Sequence, residues 1–155
     1  MIPQTIIKFF QEPGMGYILA TRDNNLQPCI NHAWGMKVNH TGTEITFYVK
    51  NSHSEKHLAN LLDNGRVAFC VGQQPSHRTY QFKGQYVSHN ACTEEDNKIL
   101  DECFAGFKIL LVAMFGEQAL SLLDNYPFKP ATAITFRVEE IFNQTPGPDA
   151  GQKLE

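Results

Sequence analysis

Residues 45–71, ITFYVKNSHSEKHLANLLDNGRVAFCV, decide how this chain folds. ITFYVK alternates and is rich in β-branched and aromatic side chains, the pattern of a strand. NSHSEK is polar. HLANLLDNG carries Leu58, Leu61 and Leu62 at helical spacing and ends at Gly65. RVAFCV reads as a strand again, so the stretch is strand, polar corner, short helix, strand. The corner gathers Lys50, Ser52, Ser54 and Lys56 around a helix start. Free backbone N–H groups and the positive end of the helix dipole make such a corner an anion site, suited to a phosphorylated ligand. The plainer readings are Ser52 and Ser54 as helix caps and Lys56 as a solvated helix lysine.

Upstream, residues 2–11 predict a short amphipathic helix carrying Ile6, Ile7, Phe9 and Phe10, closed by Pro13-Gly14. Residues 16–22 and 27–38 predict two strands joined at the turn Asp23-Asn24-Asn25, hence a hairpin. Gly35 interrupts the second, which points to a bulge or to a close approach to the backbone. A third strand covers 43–50. Downstream, 66–71 is the fourth strand and 78–89 a long fifth, bent at Gly84. Thr93 caps a helix that runs to about residue 107, with acids in its first turn. Residues 109–115 continue it or break from it, and 117–125 form another helical stretch ended by Pro127 and Pro130. Residues 131–141 are the sixth strand, and the tail rich in proline and glycine runs over the surface. Six strands with few helices predict a mainly β fold, an antiparallel barrel with helices outside it, in one domain spanning 1–155.

Composition narrows the function. With 155 residues the chain buries roughly 70% of its unfolded surface and needs no staples. The net charge of −3 argues against binding nucleic acid by broad phosphate neutralisation. Four scattered cysteines, without a CxxC pair, read as reduced small hydrophobes. The run 109–115 is too short to span a bilayer, and the first ten residues lack the apolar core of a signal peptide. A cytoplasmic protein is expected. His53 and His57 sit four apart, but no third ligand is evident, so no metal is expected.

The order of hairpin, FYV, Ser/Lys corner, short helix, NGRV strand and a long strand opening HRTYQFKG resembles the pyridoxamine 5′-phosphate oxidase-like, FMN-binding split-barrel family over residues 16–87. The resemblance implies a six-stranded split barrel flanked by α-helices. It also implies a homodimer with FMN at the subunit interface and oxidoreductase activity on a small substrate. Carried over residue by residue, it puts the flavin against Asn31, His32, Ala33 and Trp34, with further contacts from Tyr48 and Val49. Lys56 then binds the phosphate with Ser54 nearby, and Thr79 reaches the flavin or the phosphate from the long strand. Two positions depart from the family: Asn31 and Glu55 stand where the oxidase has arginines. The loss of two cations is expected either to weaken FMN binding or to shift the phosphate toward Lys50, Lys56 or Arg78. The oxidase's C-terminal arginine motif, which holds its vitamer, has no counterpart in the tail.

Side by side with these stand the ordinary roles. Trp34 reads as a half-buried core aromatic or a flavin-stacking group, and His32 as a barrel histidine or a ring contact. The face of Ile99, Cys103, Phe104 and Phe107 reads as core or dimer contact. A flavin site needs no nucleophile of its own, since the cofactor carries the hydride. The same fold also admits a module holding FMN or haem without turnover, or a deazaflavin (F420)-dependent reductase.

Overall fold

The computed structural model describes residues 1–123 and 127–155. The order is α1 (Gln4–Phe9), β1 (Met15–Arg22), β2 (Pro28–Ala33), β3 (Met36–Val38), β4 (Glu44–Lys50), α2 (Asn51–Asn64), β5 (Arg66–Gln73), β6 (Thr79–Ala91), α3 (Glu94–Phe115), a 3-10 helix (Glu117–Leu122), β7 (Ala131–Asn143) and β8 (Lys153–Leu154). The strands form an antiparallel sheet in the order β2-β1-β5-β6-β7-β4-β3, with β8 on β7.

The sheet closes through the segment predicted as one long second strand. Its first half, β2, pairs with β1, and its second half, β3, pairs with β4. Between them the Trp34 N–H donates to the Tyr48 carbonyl at 2.8 Å. Gly35 makes the break possible: its φ is +87°, and a Cβ there would press on Cys103 and Ile99 of α3. The expected count of six strands therefore becomes eight. One strand splits in two, and the tail, expected to lie loose on the surface, adds the two-residue β8. Gly84 bends β6 as predicted, because a Cβ would fall 1.9 Å from the Arg137 carbonyl oxygen beside a register shift.

Helical expectations are sharpened in three places. α3 runs unbroken through residues 109–115. The stretch 117–125 is a 3-10 turn over Glu117–Leu122, and its last two residues lie outside the described ones. α2 is turned from its predicted orientation. Leu62, placed on the apolar stripe, is 67% exposed, while Ser54, His57, Asn60 and Leu61 face the barrel. Polar partners inside the barrel wall account for that rotation.

The core has two parts. Leu19, Phe47, Phe69, Phe82 and Phe136 fill the barrel, and the Phe47 and Phe69 rings stack at 4.7 Å. Each such ring contributes about 2–3 kcal/mol by burial. Tyr48, on the opposite face of β4 from Phe47, packs with Leu100, Ala131 and Ala133 under α3. β4 is thus buried on both faces and carries α2 directly at its end.

Candidate functional site

α2 begins without a side-chain cap. Lys50 is its N-cap residue, and its first turn has no acid. The Asn51 N–H is taken by the Pro130 carbonyl at 2.9 Å. Among the described residues the amides of Ser52 and His53 have no such acceptor, so two helix-start donors remain open. Beside them lies a cleft of about 270 Å³ lined by Asn31, His32, Trp34, Lys50, His53 and Pro127. One wall is the hairpin and the other is the helix start, with a cation and an imidazole on the helix side.

Behind the cleft sits a buried polar network. Asn31 Nδ2 lies 3.0 Å from His57 Nε2. His57 Nδ1 lies 2.9 Å from Thr21 Oγ1, which also accepts from Asn60 Nδ2 at 3.0 Å. With Asn31 donating to Nε2, the neutral ring donates from Nδ1 to Thr21. Cys29 Sγ is 3.6 Å from the same Nε2. Burial, reinforced by His53, lowers the His57 pKa to about 4, so the ring stays neutral at ordinary pH. The network fixes the Asn31 amide from behind, which sets what that side chain presents to the cleft.

The predicted site residues divide accordingly. Asn31, His32 and Trp34 come together with Lys50 and His53 in the cleft. Trp34 is half-buried, its ring 5.7, 5.4 and 6.2 Å from Phe104, Phe107 and Phe128. Ala33 is buried on the inner side of the same wall. The side chains of Tyr48 and Val49 are fully buried, and the Tyr48 hydroxyl donates to Asp96 at 2.8 Å. Ser54 is buried and donates to the Asn51 carbonyl at 2.9 Å. Lys56 is exposed on the second turn of α2. Thr79 lines a different hollow, with Gly72, His77 and Gln144. Arg78 is taken by Glu12 and lies 4.3 Å over the Phe9 ring, away from the cleft.

His53 and His57 do not converge, since both ring nitrogens of His57 are engaged. Among the described residues no group of three or more His, Cys, Asp or Glu could hold a metal, and no helix is long and apolar enough to cross a membrane. Sequence reasoning missed His57, Thr21 and Asn60 as a unit. The available signal was spacing: 54, 57, 60 and 61 fall on one helical face, three of them polar.

No protein-family model matches the chain, and no curated protein does. Solved structures do match. HupZ of Group A Streptococcus is 19% identical with a TM-score of 0.56, covering 97% of this chain and 100% of that one. A candidate pyridoxamine 5′-phosphate oxidase of Lactobacillus delbrueckii is 15% identical with a TM-score of 0.53, covering 92% and 93%. An F420 reductase is 16% identical with a TM-score of 0.50, covering 86% and 94%. At such identities the likeness is one of fold, and the fold is the split β-barrel of the pyridoxamine 5′-phosphate oxidase-like class.

Proposed function

We propose that this protein is an FMN-binding flavoprotein, a cytoplasmic homodimer that acts as an oxidoreductase on a small substrate. The observation that carries the reading is the cleft joining Lys50 and His53, at an uncapped helix start, to Asn31, His32 and Trp34 on the hairpin wall. Its donor set suits a phosphate dianion: one cation, one imidazole and two open amides. Its other wall suits a flat ring with polar edges. Bound FMN supplies the hydride chemistry. The chain's part is to hold the phosphate at Lys50, with Lys56 adding charge from the next turn, and to orient the ring with Asn31 and His32. Tyr48 and Val49 support the wall from behind, and Ser54 serves α2 as an internal brace.

A second copy completes the reading. Ile18 and Ile30 stand exposed on the outer face of β1 and β2, at 43% and 62%, next to the cleft. Exposed apolar side chains on a flat sheet face favour association. Thr79, remote from the cleft within one chain, meets the flavin only across such an interface.

The test is a titration of purified protein with FMN, followed by quenching of flavin fluorescence. Saturable uptake with one FMN per chain is expected. Absence of uptake sinks the proposal, and preferential uptake of F420 in competition replaces the cofactor. Addition of reduced nicotinamide to the loaded protein then separates a redox enzyme, which bleaches, from a storage module, which does not.

A further inference from the structure

A second cavity adjoins the cleft. It lies between the β1–β2 hairpin and the C-terminal half of α3, and its volume is about 270 Å³. His32 and Trp34 line both spaces, so the two share a wall. The lining is mostly apolar and includes Met15, Phe107, Leu110, Leu111, Leu122 and Leu123. No Asp, Glu, Lys or Arg lines it among the described residues. The polar groups are His32, Gln74 and the ends of Tyr17 and Cys103. Burial pushes the Cys103 thiol up to about 11, so it adds no charge. On the β1 side a Cβ at Gly16 would stand 3.0 Å from Gln74 Nε2.

We infer that this cavity is a ligand site of its own, taking a neutral molecule of one or two fused rings with a single hydrogen-bonding substituent. Among the described residues its walls give a charged ligand no counter-ion, and placing an unpaired charge against them is costly. The size sets the rest. A dry cavity of about 150 Å³ holds one benzene ring. Nearly twice that volume holds two fused rings. Gln74 or His32 meets the substituent. The inference goes beyond the flavin reading: with His32 and Trp34 between the two spaces, a molecule in the cavity neighbours the cleft without touching a ring held there. A phosphorylated vitamer finds no cation in this lining among the described residues.

The experiment uses 2-naphthol as the neutral probe and 2-naphthoate as its charged counterpart, each titrated calorimetrically into protein freed of flavin and again after adding FMN. Expected is one 2-naphthol per chain, with 2-naphthoate bound at least tenfold more weakly. Leu111→Trp, which fills the cavity, and Leu110→Asn, which adds an unpaired amide to its wall, each weaken 2-naphthol about tenfold or more. Ile109→Asn, on the exposed side of the same helix, binds as the parent does. Equal binding of both probes, no binding, or parental binding by both cavity variants overturns the inference. FMN uptake is scored separately. A protein that takes 2-naphthol but no FMN keeps the cavity and loses the flavin reading. One that takes FMN but no 2-naphthol does the reverse.

Discussion

α2 and α3 begin in opposite ways. α3 starts at Thr93, whose hydroxyl accepts from the Asp96 N–H while the Asp96 carboxylate accepts from the Thr93 N–H, and it has acids at residues 94, 95 and 96. α2 starts at Lys50, has no side-chain cap and no acid in its first turn, and opens on a cleft. Both starts carry the same orphan amides and the same positive dipole. At α3 the chain supplies its own anion. At α2 it supplies cations, which leaves the anion to come from outside. One start is a structural joint and the other is where we propose the ligand's phosphate to lie.

The joint gives the largest expected effect. Asp96 is 4% exposed and accepts from Thr93, from the Tyr48 hydroxyl at 2.8 Å and from Lys37 Nζ at 2.8 Å. Burial alone would raise its pKa, but Lys37, Thr93 and Tyr48 together hold it well below the usual carboxylate range. Asp96→Ala removes the cap and strands the Tyr48 hydroxyl, a loss of about 3 kcal/mol. The urea midpoint should fall accordingly, and a parental midpoint would remove the joint from the comparison.

Acid tests the polar network behind the cleft. His57 is buried and titrates near 4 in the folded chain, against about 6.5 when unfolded. Its contribution is complete above the unfolded value and is lost as the pH falls through the folded one, to a total of up to about 3 kcal/mol. Asp96 has the same sign but acts lower, with its share intact above about 4 and fading below. In His57→Gln the loss of stability between pH 6.5 and 4 should shrink while the acid limb below it persists. Denaturation midpoints across that range measure both, and an unchanged slope in the variant assigns it elsewhere.

The barrel was legible because its signals are local. Alternation marked the strands, Gly84 marked a bend, and Thr93 with three acids marked the start of α3. The splitting of the second strand was half legible. Gly35 announced an interruption, but whether it ends pairing with β1 and begins pairing with β4 depends on residues distant in the chain. The candidate cleft was legible on its hairpin side, where the family resemblance had grouped Asn31, His32 and Trp34, and blurred on its helix side. A corner rich in lysine and serine does not say which side chains point inward. The answer came from Thr21 and Asn31, which turn His57 and Asn60 to the barrel and leave Lys56 outside. Helical periodicity weighs apolar residues, so a stripe held by polar bonds escapes it.

Cations at the open start rank next. Lys50 lines the cleft and Lys56 stands on the exposed turn beyond it. Lys50→Ala should weaken FMN about tenfold, the worth of one charge-assisted phosphate contact, and Lys56→Ala by less. The order is read by titrating each variant at two salt concentrations, since the more distant, exposed cation loses more of its effect to screening. A reversed order would move the phosphate to the second turn of α2.

The smallest effect on stability is the sharpest test of the comparison itself. Lys50 and His53 occupy in α2 the two positions that Thr93 and Asp96 occupy in α3, N-cap and third residue. Making Lys50→Thr with His53→Asp would therefore dress one start as the other. A reciprocal cap contributes about 1 kcal/mol, and in a chain of this length that raises the Tm by about 2–4 °C. The same change places a carboxylate where the phosphate is proposed to lie and removes the cation beside it. Flavin uptake should vanish as the fold becomes slightly firmer. A destabilised or neutral variant would mean that the amides of Ser52 and His53 were never short of a partner. A stabilised variant that still takes up FMN would mean that the helix start is open but that the phosphate lies elsewhere.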